Sequence, residues 1–289
     1  MDILIRRGRP QDQHECGRIC YAAFTAIANA HNFRPDLPDV AVANAIAGMM
    51  LAHPDFFDVV AEQGGKIVGS NFLDERNSIS GVGPITIDPD VQNSGIGARL
   101  MRAVMERSTA RGFPGIRLVQ AGYHSRSLSL YLKLGFNVRE HLSCVQGPAI
   151  NARIEGYAVR PATHGGGGAD LAACDELCER VHGHTRTGEV RDAIANGTAR
   201  IVERGGRLTG YTTGIAFFGH TVCDTTDDLK ALISAAQSID GPGFLAPSSN
   251  GELLRWCFGK GLRITQTMTL MSMGLYNEPS GAYLCSVTY

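Results

Sequence analysis

The sequence predicts an α/β (α+β) fold in two copies, the second truncated. Three observations carry this prediction. A strand, a glycine-containing loop, a helix, a strand, a helix and a further strand follow one another from Pro84 past Phe136. The pattern of residues before and around this block recurs in the second half of the chain. The length of 289 residues, 44% of them hydrophobic, suits two cores rather than one. The predicted domains are 1–150 and 151–289, joined between Gln146-Gly147-Pro148 and Glu155-Gly156.

The first element of the block, Pro84-Ile85-Thr86-Ile87, reads as a strand, and the helix runs through Arg99 to Glu106. Between them stands Gln92-Asn93-Ser94-Gly95-Ile96-Gly97-Ala98. Such a loop leaves a row of unpaired backbone N–H groups at a helix N-terminus, where anions bind. Glycines at 95 and 97 let the backbone approach phosphate oxygens, and Asn93 and Ser94 suit a helix cap. Two familiar nucleotide loops do not fit. A P-loop needs Gly-Lys-Ser/Thr, whereas Gly97 is followed by Ala98-Arg99. A dinucleotide fingerprint needs a third glycine where Leu100 stands and an acid at the end of the next strand, Ile116–Gln120, which has none. The helix after that strand, from His124 through Tyr131 to Leu134, is amphipathic and closed by Gly135, with a strand following from Phe136.

The repeat declines in register. Asp12, Cys16 and Cys20 match Asp170, Cys174 and Cys178 at an offset of 158, and Ala45–Ala47 matches Ala193–Ala195 at 148. Glu62–Gly69 matches Glu203–Gly210 at 141, and His124–Phe136 falls on Asn250–Leu262 at 126. A copy that has lost loop residues shrinks this way; chance matches scatter. The drop from 141 to 126 removes 15 residues where the first half carries its glycine loop. The second half has Asp224-Thr225-Thr226-Asp227-Asp228 there, so carboxylates satisfy the helix dipole and repel a pyrophosphate. Cys257 stands where the first half has Tyr131. The tetraglycine Gly165–Gly168 is expected to be a flexible loop before a helix from Asp170. The strand-like tail Gly281–Tyr289 is expected to complete a sheet, that of the first half.

A net charge of −1 gives no broad field for polyanions, so no nucleic-acid partner is expected. No window approaches 18 apolar residues and the start lacks a signal pattern, so no membrane association and a cytoplasmic location are expected. Eight cysteines are too few for a disulfide scaffold. Cys16/Cys20 and Cys174/Cys178 are read as small core residues rather than metal ligands, because no histidine or further cysteine stands at ligand spacing, and no metal is expected. Oligomeric state leaves no mark in the sequence.

Val82 to Leu100 resembles the coenzyme A loop of the GNAT superfamily of N-acetyltransferases, Gln/Arg-x-x-Gly-x-Gly/Ala, filled by Gln92, Gly95 and Gly97. Leu130-Tyr131-Leu132-Lys133-Leu134-Gly135-Phe136 is similar to that family's second signature. The resemblance covers about residues 3 to 147 well and the remainder in outline, implying two GNAT-like mixed sheets, the second a degenerate domain with a structural or substrate-shaping role. It departs at His124, where the family usually has an asparagine that bonds the pantetheine arm.

The resemblance implies acetyl-CoA as co-substrate, held by Ile85, Thr86, Ile87, Gln92, Asn93, Ser94, Gly95, Ile96, Gly97, Ala98, His124, Ser127 and Tyr131. The implied reaction is direct attack of a small molecule's primary amine on the thioester through a tetrahedral intermediate. Tyr131 is the expected donor to the thiolate, weighed against a plain core aromatic among Leu128, Leu132 and Leu134. The base stays unassigned between Asp74, Glu75 and water. Arg76 beside the two acids suggests a surface ion pair, and Asp88 before Pro89 suits a turn. Cys20–Phe24 and His31–Phe33 are the expected acceptor wall. A non-catalytic acetyl-CoA or CoA binding or sensing protein is the alternative, and a nucleotide-binding protein is a third.

Overall fold

The computed structural model describes residues 3–92, 95–163 and 165–289. In the first half, β1 (Ile3–Arg7) leads into α1 (Gln13–Ala30) and α2 (Val40–Ala52), then β2 (Phe56–Gln63), β3 (Lys66–Asp74), β4 (Ser80–Val82) and β5 (Thr86–Ile87). There follow α3 (Ile96–Ala110), β6 (Gly115–Ala121), α4 (Ser125–Lys133) and β7 (Asn137–Gln146). The second half repeats the order: β8 (Tyr157–Pro161), α5 (Gly165–His182), α6 (Thr187–Ala195), β9 (Arg200–Arg204), β10 (Arg207–Thr212), β11 (Thr221–Cys223), α7 (Thr226–Ala235), β12 (Phe244–Pro247), α8 (Gly251–Gly259), β13 (Arg263–Gly274) and β14 (Ala282–Leu284).

The repeat read from the sequence has structural counterparts. Both halves turn a hairpin on a Gly-Gly pair with positive φ, at +58° and +78° for Gly64-Gly65 and +59° and +74° for Gly205-Gly206. Glycine tolerates that backbone without a Cβ clash. Both halves also tie the first strand to the first helix and the hairpin with one arginine. Arg6 pairs with Asp12 at 2.7 Å and Glu62 at 2.9 Å; Arg160 pairs with Asp170 and Glu203, each at 2.9 Å.

The chain passes from one half to the other between β7 and β8, yet the sheets do not divide there. The larger sheet runs β1-β2-β3-β4-β6-β13-β7-β12, with β5 also on β3. Thus β13 of the second half pairs antiparallel with β6, while β7 of the first half pairs with β12. The two late strands are exchanged and lie beside each other. Exchange makes the halves share a core instead of merely touching: Met268 and Leu270 of β13 pack with Ile79, Leu142 and Phe217.

Two expectations change. The tail strand β14 joins the second sheet, order β14-β11-β10-β9-β8, not that of the first half. Its register puts Leu284 opposite Thr221, and Cys285 beyond it bridges to Leu245 of β12. Gly165–Gly168 is taken into the start of α5 rather than left as a loop. The helix tolerates glycine because its later turns are anchored by buried Cys174, Leu177, Cys178 and Val181. All eight cysteines are free and buried, Cys16 and Cys20 in the α1 core and Cys174 and Cys178 in the α5 core. Among the described residues no helix is long and apolar enough to cross a membrane, and no group of three His, Cys, Asp or Glu could hold a metal ion.

Candidate active site

The strand expected over Pro84–Ile87 is shorter than the sequence suggested, because Pro84 has no N–H for the ladder and Gly83 has a φ of +136°. The interruption separates β4 from β5. β4 runs parallel to β6 for three residues, Ser80 opposite Ile116 through Val82 opposite Leu118, and the pairing then stops. Past that point the strands splay. Asp88 N donates to Val68 O on the β3 side, so by alternation the N–H groups of Ile85 and Ile87 point the other way, into the splay. The Thr86 hydroxyl instead meets Ser70 Oγ at 3.2 Å and is buried.

A cavity of about 460 Å³ fills the splay, a volume suited to a small-molecule site. Its walls are Val82 to Ile87 on one side and Leu118 to Ala121 on the other, with Gln92, His124, Ser127 and Tyr131 at the α4 end. Cys20, Ala23 and Phe24 of the expected acceptor wall line it too; His31 and Phe33 instead pack on the Tyr123 ring, Phe33 stacked at 4.2 Å. The second half closes the cavity with Ala216–Phe218, Asp240–Pro242, Val287 and Thr288.

Beyond Gln92, α3 opens at Gly95, whose φ of +79° only glycine adopts without strain and around which a Cβ would meet nothing within 4 Å. No described side chain caps this helix and its first turn has no acid. Among the described residues nothing accepts from the N–H groups of Ile96, Gly97 and Ala98 in its first turn. Gly97 has a packing reason as well: a Cβ there would stand 3.0 Å from Ile87 Cδ1 and 3.4 Å from Leu130 Cδ2. Asn93 and Ser94 lie outside the described residues. Gln92 is held from both sides, its Nε2 donating to Ile87 O at 3.3 Å and its Oε1 accepting from Arg126 at 2.5 Å.

His124 takes the cap position of α4, its Nδ1 accepting the Ser127 N–H at 3.4 Å. Burial lowers its pKa to about 4, so the ring is neutral near pH 7, and with Nδ1 accepting, the proton sits on Nε2. The residue thus keeps both parts of an asparagine's work, capping with one atom and offering a donor with another. Tyr131 is core and cavity at once. It is only 6% exposed, packs with Leu100, Leu118 and Phe136, and lines the cavity. Burial pushes its phenol up to about 12, which keeps the proton on oxygen and makes it a hydrogen-bond donor rather than a free acid.

The three acids considered for the base are all engaged elsewhere. Asp74 and Arg76 form a buried pair at 2.6 Å, not a surface one, and Arg76 continues to Asp192 of α6 at 3.0 Å. Glu75 accepts twice from Arg107, at 2.6 and 2.9 Å. Asp88 accepts from Asp90 N and pairs with Arg18 at 2.8 Å. Against the desolvation that burial imposes, these partners hold Asp88 below the usual carboxylate range.

Two residues escaped the sequence reading. Gln120 lines the cavity, is 5% exposed, and neither its Oε1 nor its Nε2 has a partner among the described residues. By the two-residue period of β6 it shares a face with Ile116 and Leu118, which pack with Tyr131. Asp36, between α1 and α2, also lines the cavity and accepts from Gln266 Nε2 at 2.5 Å. A glutamine on the same strand face as Ile116 and Leu118 was a legible signal for the first; nothing local marked the second. A further cavity of about 660 Å³ lies where α2 meets the second half, but its Arg76, Asp192 and Glu189 are already paired.

The second half lacks an equivalent splay. β14 lies between β11 and β12, with Cys285 N donating to Leu245 O at 2.9 Å. The start of α7 is closed by a capping box in which Thr225 and Asp228 bond each other's backbone N–H, and Asp228 is fully buried against Arg204 and Thr209. Asn250 caps α8 where His124 caps α4.

Residues 54–138 match the family model for the acetyltransferase (GNAT) domain. No curated protein sequence matches the chain. Among solved structures, a putative acetyltransferase from Pyrococcus horikoshii is similar over 97% of this chain and 94% of its own, at 18% identity and a TM-score of 0.74. A GCN5-related N-acetyltransferase from Sphaerobacter thermophilus covers 96% of both chains at 14% identity and a TM-score of 0.62. A tandem GNAT protein from the clavulanic acid biosynthesis pathway covers 94% of this chain and 98% of its own at 13% identity and a TM-score of 0.54. These likenesses concern the fold. Residues 54–138 thus match a GNAT acetyltransferase domain, and the chain as a whole shares the fold of these neighbours.

Proposed function

We propose that the first half binds acetyl-CoA and transfers its acetyl group to the primary amine of a small molecule, and that the second half binds no coenzyme and shapes the acceptor end of the site. The observation that carries this reading is the cavity between β5 and β6, which has inward amide donors on one wall, Tyr131 at one end and the acid-free start of α3 beyond. The residues present fit the coenzyme. The orphaned amide of Gln120 matches the amide chemistry of a pantetheine arm, and the open space at Gly95 admits phosphate oxygens beside first-turn N–H groups. Bound there, the coenzyme supplies an activated acetyl thioester.

The chain's own groups would then divide the work. The Ile85 and Ile87 amides orient the pantetheine and polarise the carbonyl, and the neutral imidazole of His124 offers Nε2–H. Tyr131 presents its hydroxyl hydrogen to the sulfur as negative charge builds there. The enclosing segments from the second half exclude water and favour a small acceptor over a protein tail.

Thermal-shift titration tests binding: acetyl-CoA raises the melting temperature, while ATP and NAD do much less. Thiol release across a library of amines tests transfer and narrows the acceptor together. Binding without thiol release from any amine would leave a coenzyme sensor in place of an enzyme.

A further inference from the structure

We propose that Asp36, held by Gln266, receives the ammonium of the acceptor and takes its proton, so that the acceptor is a primary alkylamine with an apolar body and no carboxylate. This rests on the acetyl-transfer reading and deepens it. Asp36 stands in Arg34-Pro35-Asp36-Leu37-Pro38, where the two prolines restrict the backbone on either side. Its Oδ1 accepts from Gln266 Nε2, and Gln266, 5% exposed, has its Oε1 buried without a partner among the described residues. One carboxylate oxygen of Asp36 is thereby left as an acceptor on the cavity wall, which suits an N–H-rich cation. Gln266 shares a strand face with Met268 and Leu270, the face opposite to Met271 and Met273, which pack toward Tyr131 and Phe136. The ammonium therefore meets the site from the side away from α4.

Charge in the cavity agrees. Its described lining contains Asp36 and Asp240 and neither lysine nor arginine. Much of the remaining wall is apolar, including Phe24, Ile27, Leu37, Val42 and Phe217. The titratable groups that feel the Asp36 charge are Cys20 of α1, Tyr123 after β6 and Cys144 of β7, each raised first by burial, with that charge adding to the rise, for Cys20 after the charge of Cys16. None is a cation. Burial likewise raises the Asp36 carboxyl, against the Gln266 hydrogen bond that lowers it, which makes its ionised form a stronger base.

The step balances. The ammonium R–NH3⁺ gives one proton to the Asp36 carboxylate and becomes R–NH2, whose lone pair adds to the thioester carbon, and collapse of the tetrahedral intermediate then breaks the C–S bond. The nitrogen then loses a second proton, matched by the one the sulfur gains. Asp36 returns its proton to solvent, so ammonium and thioester give amide, thiol and H⁺.

The test uses the full chain, with 2-phenylethylamine as acceptor. Asp36→Asn should lower kcat/KM near neutral pH by about 100-fold or more, and the deficit should shrink as rising pH supplies neutral amine. Calorimetric titration of the amine into coenzyme A-bound protein gives a second readout: Asp36→Asn and Gln266→Leu, each checked for an unchanged melting temperature, should weaken binding by about tenfold and about threefold. A kcat/KM within about threefold of the parent, a deficit that does not change with pH, or unaltered amine affinity overturns the proposal. If the parent binds acetyl-CoA but transfers to no amine, the acetyl-transfer reading fails, and the calorimetric arm alone decides the ammonium site.

Discussion

The two halves share a hairpin, an arginine-centred ion-pair triad and an element order, yet they differ where a coenzyme would enter. In the first half β4 and β6 part and leave a cavity; in the second half β14 lies in the corresponding gap. In the first half α3 begins at Gly95 with no acid in its first turn; in the second, Thr225 and Asp228 occupy the first amides of α7. The same fold thus makes a binding cleft or a closed core according to what fills one gap. Filling it internally adds apolar burial, since Ala282 and Leu284 join the main core of the second half. It also routes the following residues back, so that Val287 and Thr288 wall the cavity of the first.

Breaking β14 is the largest test of this contrast. Leu284→Ala should cost about 2 to 5 kcal/mol of stability, because Leu284 is 2% exposed in a packed cluster. Chemical denaturation measures it, and a loss well under 1 kcal/mol would mean that β14 is an ornament on the second sheet.

Tyr131→Phe comes next. Turnover should fall by roughly one to three orders of magnitude with coenzyme affinity nearly unchanged, whereas Cys257→Ser, at the matching position of the second half, should leave turnover alone. An undiminished rate for the phenylalanine variant would reduce Tyr131 to the core residue that its packing also makes it.

A smaller effect separates the halves by pH. His124 and His220 are lowered to about 4 and His184 to about 3, each first by burial, and His182 is lowered as well. An unfolded histidine titrates near 6.5, so between about 6.5 and 4 the unfolded chain binds more protons, and stability must fall as pH falls. Three of the four lie in the second half. Thermal melting followed by probes in each half should show the second half losing stability first on acidification; a flat profile would contradict the burial of these rings.

The local frame of the first-half loop was legible because its signals are local. Gly95 at a positive φ and the helix that carries Tyr131 are read from neighbours in sequence, and the declining offset exposed the repeat. What the second half does with its missing 15 residues was half legible. Acids at 227 and 228 told that the helix start was occupied, but the pairing of β14 depends on strands some 60 and 40 residues earlier in the chain, and no local pattern fixes it. The exchange of β7 and β13 escaped for the same reason: either strand suits either neighbour until the whole sheet is assembled. Asp74 was misjudged as a surface acid: it is buried in β3, and its partner Arg76 is held in turn by Asp192 of α6, more than 100 residues away. Asp36 lay between two prolines and read as loop, and only the approach of Gln266 from β13 gives it a role.

Coenzyme stoichiometry tests the central claim most directly. Titrating coenzyme A into the protein by calorimetry should give one site per chain. Ala98→Asp, which puts a carboxylate where α7 has Asp228, should weaken that site by at least about tenfold. Two sites per chain, or one site untouched by Ala98→Asp, would contradict the account of an open first half and a filled second.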